Sequence, residues 1–248
     1  SGMSGSRSRA LDLARALAIL SMVAYHFSYD WFVVLGGDGG WPGRGYIHLW
    51  QQSICWTFIL VSGACGHFGR HNLKKGLILN LCGLLITAVT VVALPSQAVW
   101  FGVLNLLGCS AWLLAALRPA LDRCPPLAGL AAAFLLFTAT YHLQSGWLGW
   151  PGLGVQLPSQ WYQSPLLVIL GMPFSGFVSS DYFPLLPWFC LFCCGYFLWK
   201  LPAVRQGSGR LPLPDAGWLS RRSLWIYLAH QPVCMGLAWL LRALAAEI

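Results

Sequence analysis

Three side chains that could do proton-transfer or anion chemistry interrupt the apolar stretch RALAILSMVAYHFSYD, residues 15–30. Arg15 and His26 are eleven residues apart, so on a helix they share one face at an axial separation of about 16 Å. Asp30 follows His26 by four residues and is its neighbour on that face. Because a carboxylate can orient an imidazole and raise its basicity, the spacing predicts His26 as a general base oriented by Asp30. Arg15 is predicted to bind an anionic group.

Each of these three residues also has a structural interpretation. Arg15 fits an orientation signal near a membrane boundary, where a long cationic side chain can reach water. His26 fits a hydrogen-bonded core residue, and Asp30 fits a carboxylate in surface water. The two interpretations of each residue remain open at the level of the sequence.

Other polar side chains are expected at the same membrane level as His26. We predict that they line an outward-facing polar pocket for the substrate, although each alone fits an interfacial residue. They are His48, His142, Asp181 and Tyr182. His48 is a second candidate for the catalytic base, and the choice between His26 and His48 is left open.

Two further groups could serve a ligand. His230 and Gln231 lie about two and a half turns into the last apolar segment, where an ionisable residue indicates function by default. They are predicted to line a tunnel, and a helix-to-helix hydrogen bond is the alternative. A second group is basic and predicts a positive rim at the inner face, with a topology signal as the alternative. Its members are Arg70 with the flanking His67 and His71, and Lys74, Lys75, Arg221 and Arg222.

The composition sets the elements that must position these groups. Hydrophobic residues make up 57% of the 248 residues and charged residues only 9%, too few charges to cover a soluble domain. We therefore predict one all-α, polytopic membrane domain over 1–248, with Ser-Gly-Met at 1–3 taken as a tag scar. The predicted spanning helices number seven. They are 10–34, 48–68, 76–94, 98–118, 125–143, 184–200 and 222–245.

The placement of basic residues predicts how the chain is oriented. With seven crossings, Arg44 and Arg242 are the only Lys or Arg residues that fall opposite the main basic side. This asymmetry predicts a cytoplasmic N-terminus and an external C-terminus. Segment 144–183 is then an outer loop, with a half-helix or re-entrant piece expected at 164–177. Segment 201–221 is interpreted as a flexible linker. No cleavable signal peptide is expected, so the first helix should remain as an anchor.

Several classes of function are disfavoured. A basic excess in such a chain fits lipid contact and topology better than nucleic-acid binding. The nine cysteines avoid the predicted outer loops, so a disulfide framework is not expected. No metal-ligand spacing, phosphate loop or nucleophile elbow is present, so no metal site is predicted.

Four stretches resemble a known family. They are LDLARALAILSMVAYHFSYD at 11–30, FGVLNLLGCS at 101–110, DYFPLLPWF at 181–189 and RRSLWIYLAHQP at 221–232. These stretches and their order are similar to bacterial membrane proteins grouped with the heparan-alpha-glucosaminide N-acetyltransferase catalytic domain. The Arg15–His26 spacing also resembles a signature of the wider transmembrane acyltransferases.

The resemblance implies an inner-membrane, multi-pass enzyme that transfers an acyl group from cytoplasmic acetyl-CoA or another acyl-CoA to a saccharide or glycolipid acceptor on the periplasmic side. It implies that the basic rim holds the nucleotide phosphates and that the tunnel holds the pantetheine arm. Membrane lipids are expected partners, and a homodimer is left open. Transfer through an acyl-histidine and direct transfer also stay open. The alternatives are a small-molecule or proton-coupled transporter and a non-catalytic membrane subunit.

Overall fold

The computed structural model describes residues 8–69 and 71–246 of the chain. The described residues are almost entirely helical, which confirms the all-α class. The helices are α1 Arg9–Tyr29, α2 Gly45–Cys65, α3 Asn72–Ala93, α4 Val103–Arg123, α5 Pro126–Thr140, α6 Leu185–Lys200, α7 Pro202–Arg210, α8 Gly217–Arg221 and α9 Ser223–Ala246. A π-helix at Asp30–Val34 extends α1. Two-residue strands β1 Trp147–Leu148 and β2 Val155–Gln156 pair antiparallel.

A helix lies at each of the seven predicted spans, but fewer than seven meet the requirements for crossing a membrane. Five helices of the described chain are long and apolar enough, and the number becomes six if α6 and α7 cross together as one bent span. Helix α2 is not among them. The chain is therefore a polytopic membrane protein, while the count of seven and the orientation of the termini stay predictions.

The chain divides into two compact units. Unit 1 comprises residues 8–61 and 206–246, and unit 2 comprises residues 62–205. The interpretation as one domain over 1–248 stays a prediction.

Unit 1 is built on the packing of α9 and α8 against α1. The face of α9 that meets α1 is a stripe at every fourth residue, His230, Cys234 and Ala238, all of which are buried. Such spacing places side chains along one helical face. Most of the rest of α9 is exposed and apolar, as expected of a surface that meets lipid.

The stripe on α9 ends at Arg242. In the predicted orientation, this is one of the two basic residues that fall opposite the main basic side. Its Nη1 and Nη2 donate to the carbonyl oxygens of Leu35 and Trp31, at 2.7 and 2.9 Å. These carbonyls lie where the π-helix ends, and carbonyls at a helix end have no partner within the helix. The other exception, Arg44, pairs with Asp38 at 2.7 Å. Local contacts therefore account for both exceptions.

Unit 2 contains two close helix pairs, α3 with α4 and α5 with α6. Between α3 and α4, Asn105 Nδ2 donates to Asn80 Oδ1 at 3.3 Å, and Asn80 Nδ2 donates to the Gly76 carbonyl at 3.0 Å. A methyl group on Gly108 would lie 2.5 Å from the Asn80 amide, so glycine is required for this approach. Small residues and amide pairs are the usual means of joining helices in membranes.

Two segments differ from expectation. The interpretation of 201–221 as a flexible linker is wrong where α7 and α8 form, and Pro202 at the first position of α7 suits a helix start. The predicted half-helix at 164–177 is a short 3-10 helix, Pro165–Leu170, which ends at Gly171 with φ +107°. Only glycine adopts that conformation without strain.

Candidate functional site

Two histidines form the centre of a buried polar cluster in unit 1. The rings of His26 on α1 and His230 on α9 have centroids 4.6 Å apart. His230 is 9% exposed, and its Nδ1 lies 2.5 Å from the carbonyl oxygen of Tyr227. Because a carbonyl only accepts, Nδ1 carries the hydrogen and the neutral ring presents a lone pair at Nε2. That Nε2 is buried and has no hydrogen-bond partner among the described residues.

A carboxylate and an amide complete this cluster. Asp30 is fully buried, and its Oδ1 accepts a hydrogen bond from Gln231 Nε2 at 3.3 Å. Its Oδ2 has no partner in the described chain. A buried charge with an open oxygen is costly in a structure and is common at functional sites. The four residues His26, His230, Asp30 and Gln231 are named the histidine cluster below.

The contact made by Asp30 differs from the sequence expectation. Its carboxylate was expected to orient His26, yet within the described residues it bonds to Gln231 rather than to His26. The backbone between the two residues is α-helical, since the Asp30 N–H bonds to the His26 carbonyl. The helix widens after Asp30, where the N–H of Leu35 bonds to the Asp30 carbonyl five residues earlier. π-helical turns often mark functional sites.

Arg15 lies on α1, eleven residues before His26, and is half-buried. No hydrogen bond or ion pair joins its guanidinium to another described residue. Asp12, one turn earlier, is 7% exposed and lies beside Gly217 of α8. The shared face of Arg15 and His26 is thus present on a regular helix, while the anionic ligand of Arg15 stays a prediction.

The residues predicted to line the outer pocket are divided between the two units, so the pocket stays a prediction. His48 is exposed on α2 and joins none of the contacts of the histidine cluster. In unit 2, Asp181 Oδ2 accepts from the Val103 N–H at 3.3 Å and so caps the start of α4. Tyr182 donates its hydroxyl to the Val168 carbonyl, and burial raises the pKa of this phenol. His142 packs against Trp150 with centroids 4.6 Å apart. Asp181 and Tyr182 therefore have structural partners.

The basic rim divides between the two units. Lys74 and Lys75 are exposed at the start of α3 in unit 2. Arg221 and Arg222 are exposed at the end of α8 in unit 1, and the Arg222 guanidinium lies 4.4 Å from the centre of the Trp218 ring. Arg70 lies outside the described residues.

Sequence reasoning placed His67 in the basic rim but missed the polar cluster that it forms in unit 2. His67 stacks on the Tyr196 ring with centroids 3.9 Å apart, and its Nε2 lies 2.8 Å from the Tyr196 carbonyl. Tyr196 donates its hydroxyl to Asp122. Arg118 Nη2 donates to the Gly66 carbonyl at 2.5 Å. The sequence signal was the presence of Arg118 and Asp122 on a mainly apolar helix, each of which requires a partner.

The histidine cluster can hold or move a proton within a membrane-spanning pair of helices. The Nε2 of His230 has a lone pair that can accept a proton, and Asp30 follows His26 by one helical turn along the chain. Hydrophobic neighbours lie on the same face of α1 as His26, where Ile19 and Met22 stand between Arg15 and His26 and form the buried core of unit 1 with Tyr25. The chemistry of these four residues is that of proton transfer, and none of the four is a serine or a cysteine.

These features define a polytopic helical membrane protein with an acid–base cluster in its spanning helices. A family model described as heparan-alpha-glucosaminide N-acetyltransferase, catalytic, matches residues 7–232. The chain belongs to this family, which confirms the resemblance seen in the sequence. Comparison with curated proteins and with solved structures gives no match.

Proposed function

We propose that the chain is an integral-membrane acetyltransferase. It transfers an acetyl or other acyl group from acyl-CoA in the cytoplasm to a saccharide or glycolipid acceptor on the periplasmic side of a bacterial inner membrane. Family membership supports the reaction class. The single observation that supports the site is the contact between His26 and His230 beside the buried carboxylate of Asp30.

The proposed base is His26. It removes the proton from the acceptor amine or hydroxyl as that group attacks the thioester carbonyl, and the proton then passes to the departing thiolate. Acetyl-CoA supplies the activated acetyl group. A route in which the histidine carries the acetyl group for one step uses the same residues.

The other members of the cluster act on His26. His230 is fixed by the Tyr227 carbonyl and therefore holds its ring against that of His26. Asp30 supplies negative charge that favours the imidazolium form, and Gln231 holds this carboxylate in place. The open Asp30 Oδ2 and His230 Nε2 offer one acceptor each to polar groups of the acceptor sugar.

Cationic side chains are suited to binding the acyl-CoA donor. The exposed residues Lys74, Lys75, Arg221 and Arg222 give both units a positive surface for the nucleotide phosphates. Arg15 has the free donors and the half-buried position that an anionic group needs.

The assignment of the base is tested by replacing His26 with Ala in the purified full-length protein. Transfer of a radiolabelled acetyl group from acetyl-CoA to glucosamine should fall by about 100-fold or more, the usual contribution of a general base. Ser28→Ala is the matched control, since Ser28 lies on the same helix and, among the described residues, bonds only to the Ala24 carbonyl. Unchanged transfer by His26→Ala rejects the assignment. If His48→Ala abolishes transfer instead, the base is His48.

A proton-coupled transporter is the second candidate. A fully buried carboxylate beside two imidazoles in spanning helices also characterises proton pathways. Proton-dependent uptake of a sugar by sealed vesicles without consumption of acetyl-CoA would favour this function. Consumption of acetyl-CoA in proportion to an acetylated product favours the transferase.

A further inference from the structure

The long connection between α5 and α6 in unit 2 carries no charged side chain. Residues 143–180 contain no Asp, Glu, Lys, Arg or His. About a quarter of the residues of a water-soluble domain are charged. A connection of this length that stood entirely in water would therefore be expected to contain several charges. Residues 143–180 are named the uncharged segment below.

Large apolar side chains project from the uncharged segment. Leu153 is 93% exposed, Leu166 is 77% exposed and Val178 is 75% exposed, so these side chains make few contacts with the protein. The six most exposed large apolar residues of the segment are Trp150, Leu153, Val155, Trp161, Leu166 and Val178. An extended exposed apolar surface of this kind marks a site of interaction with a protein or a membrane.

The uncharged segment is folded against unit 2. The Tyr162 hydroxyl donates to the Leu143 carbonyl at 2.5 Å, and Val168 and Met172 are buried. The ring of Phe177 packs edge-on against that of Tyr182, with centroids 4.9 Å apart. The exposed apolar side chains therefore belong to a preformed surface, and binding to such a surface loses little conformational entropy.

A backbone hydrogen bond fixes the level of the β1–β2 hairpin relative to α5. The Gly149 N–H donates to the carbonyl of Ala139 at 2.6 Å, and Ala139 lies in the last turn of α5. This helix belongs to a candidate membrane span, Pro126–Ser145, and its Leu135 and Leu136 are exposed, as expected where a helix meets lipid. The hairpin lies where this span ends, so its exposed apolar residues continue the lipid-facing surface of α5.

The connection between α3 and α4 lies beside the uncharged segment and has the same character. The Trp100 N–H donates to Ser179 Oγ at 2.9 Å, and the Ser180 N–H donates to the Ala98 carbonyl at 3.0 Å. Residues 94–102 contain no charged residue either, and Trp100 is exposed. The two connections at this end of unit 2 thus form one uncharged surface.

The backbone of the segment limits how deeply it can enter a membrane. Outside two short strands and short 3-10 helices it is irregular, and irregular backbone is not tolerated against the hydrocarbon core. Gln156, Gln160 and Gln163 are also exposed. Trp150 and Trp161 are of the residue type enriched at the membrane boundary, where the ring meets acyl chains and the indole N–H meets water. These features fit the headgroup region.

We propose that the uncharged segment is an interfacial anchor that binds a lipid surface. It lies along the headgroup region of the leaflet where α5 ends, and it places Trp150, Leu153, Trp161 and Leu166 among the first carbons of the acyl chains. Burial of apolar area drives this contact. Because attraction to anionic headgroups requires Lys or Arg, binding does not depend on the charge of the lipid. This inference does not rest on the proposed function, which concerns the histidine cluster of unit 1.

Photocrosslinking from single positions tests the contact in the full-length protein. One variant carries p-benzoylphenylalanine in place of Leu153 and a second carries it in place of Leu166, both in phosphatidylcholine nanodiscs. After irradiation, intact-mass spectrometry should show that each variant gains the mass of one phosphatidylcholine molecule. The same replacement at the exposed Leu135 of α5 is the positive control. The yields should stay the same when phosphatidylglycerol replaces part of the phosphatidylcholine.

Gly39 is the negative control. A side chain at this position meets open space, and the residue adjoins the exposed ion pair between Asp38 and Arg44. The p-benzoylphenylalanine variant at Gly39 should gain no lipid mass. Leu153 and Leu166 are exposed, so their replacement should leave the melting temperature unchanged, and an adduct from either position is sufficient if one variant fails to fold.

Three results would overturn the proposal. The first is an absence of lipid adducts from both Leu153 and Leu166 while Leu135 gives them, or equal yields at Leu153 and Gly39. The second is a crosslink between two copies of the chain in place of a lipid adduct, which would assign the surface to a second copy. The third is an adduct that forms only with phosphatidylglycerol, which would show recognition of headgroup charge.

Discussion

Asp30 is the residue whose role the structure alters most. The sequence places it one turn from His26, while its hydrogen bond is to Gln231 on another helix. A fully buried carboxylate with one open oxygen can still favour a positive imidazole nearby, because charge acts over several ångströms in a medium of low dielectric constant. Its function in the proposed reaction is thus electrostatic, and it acts through His26.

Replacing Asp30 with Asn should separate this role from a structural one. Asparagine has nearly the same volume and keeps an oxygen for Gln231, so the melting temperature should change little. The negative charge is lost, and kcat should fall about 10-fold to 100-fold, a part of the usual contribution of acid–base catalysis. Steady-state kinetics with acetyl-CoA and glucosamine give the measurement, with KM expected to stay nearly constant. An unchanged kcat would contradict the electrostatic role.

His26 and His230 show what sequence reasoning can find at single residues and what it cannot. Each was detectable alone, because a titratable side chain in an apolar helix is unusual. Their contact was not predictable, since they are separated by about two hundred residues and by no repeating pattern. Asp181 shows the reverse case. Its place beside other polar residues suggested a pocket, while its actual bond is to the backbone of Val103.

The helix positions agree with those predicted from the sequence where a long apolar run alone determines the helix. Helix α3 was expected at 76–94 and is found at Asn72–Ala93. Helix α4 was expected at 98–118 but begins at Val103. The cap that fixes this start is Asp181, 78 residues further along the chain. A cap from so distant a residue leaves no signal in the sequence near the start of α4. The π-helix that follows α1 has no local sequence signal either.

Arg242 tests how α9 is attached to the end of α1. Arg242→Met should leave the carbonyls of Trp31 and Leu35 without donors and cost about 1–3 kcal/mol, the penalty for a buried unpaired polar group. The melting temperature in detergent should fall accordingly. Arg44→Gln is the matched control, because the Arg44–Asp38 pair is exposed and such pairs contribute little. Equal shifts in the two variants would show that Arg242 does not secure the helix.

The family match covers residues 7–232 and thus includes residues of both units. Unit 1 contains the histidine cluster, and unit 2 contains the polar cluster around His67 and Tyr196. Fold class and family could be predicted from composition and from four short stretches, because they depend on features spread along the whole chain. The number of membrane crossings was harder to predict, since α2 has the length of a spanning helix but not the required apolar character.

The central claim is that the chain transfers an acetyl group across a membrane with His26 as its base. Sealed vesicles that carry the purified protein test it most directly, with labelled acetyl-CoA only outside and glucosamine only inside. We predict that labelled N-acetylglucosamine accumulates inside vesicles with the unsubstituted protein and not inside those with His26→Ala. Equal accumulation with His26→Ala, or product formed only when donor and acceptor share one side, would contradict the claim.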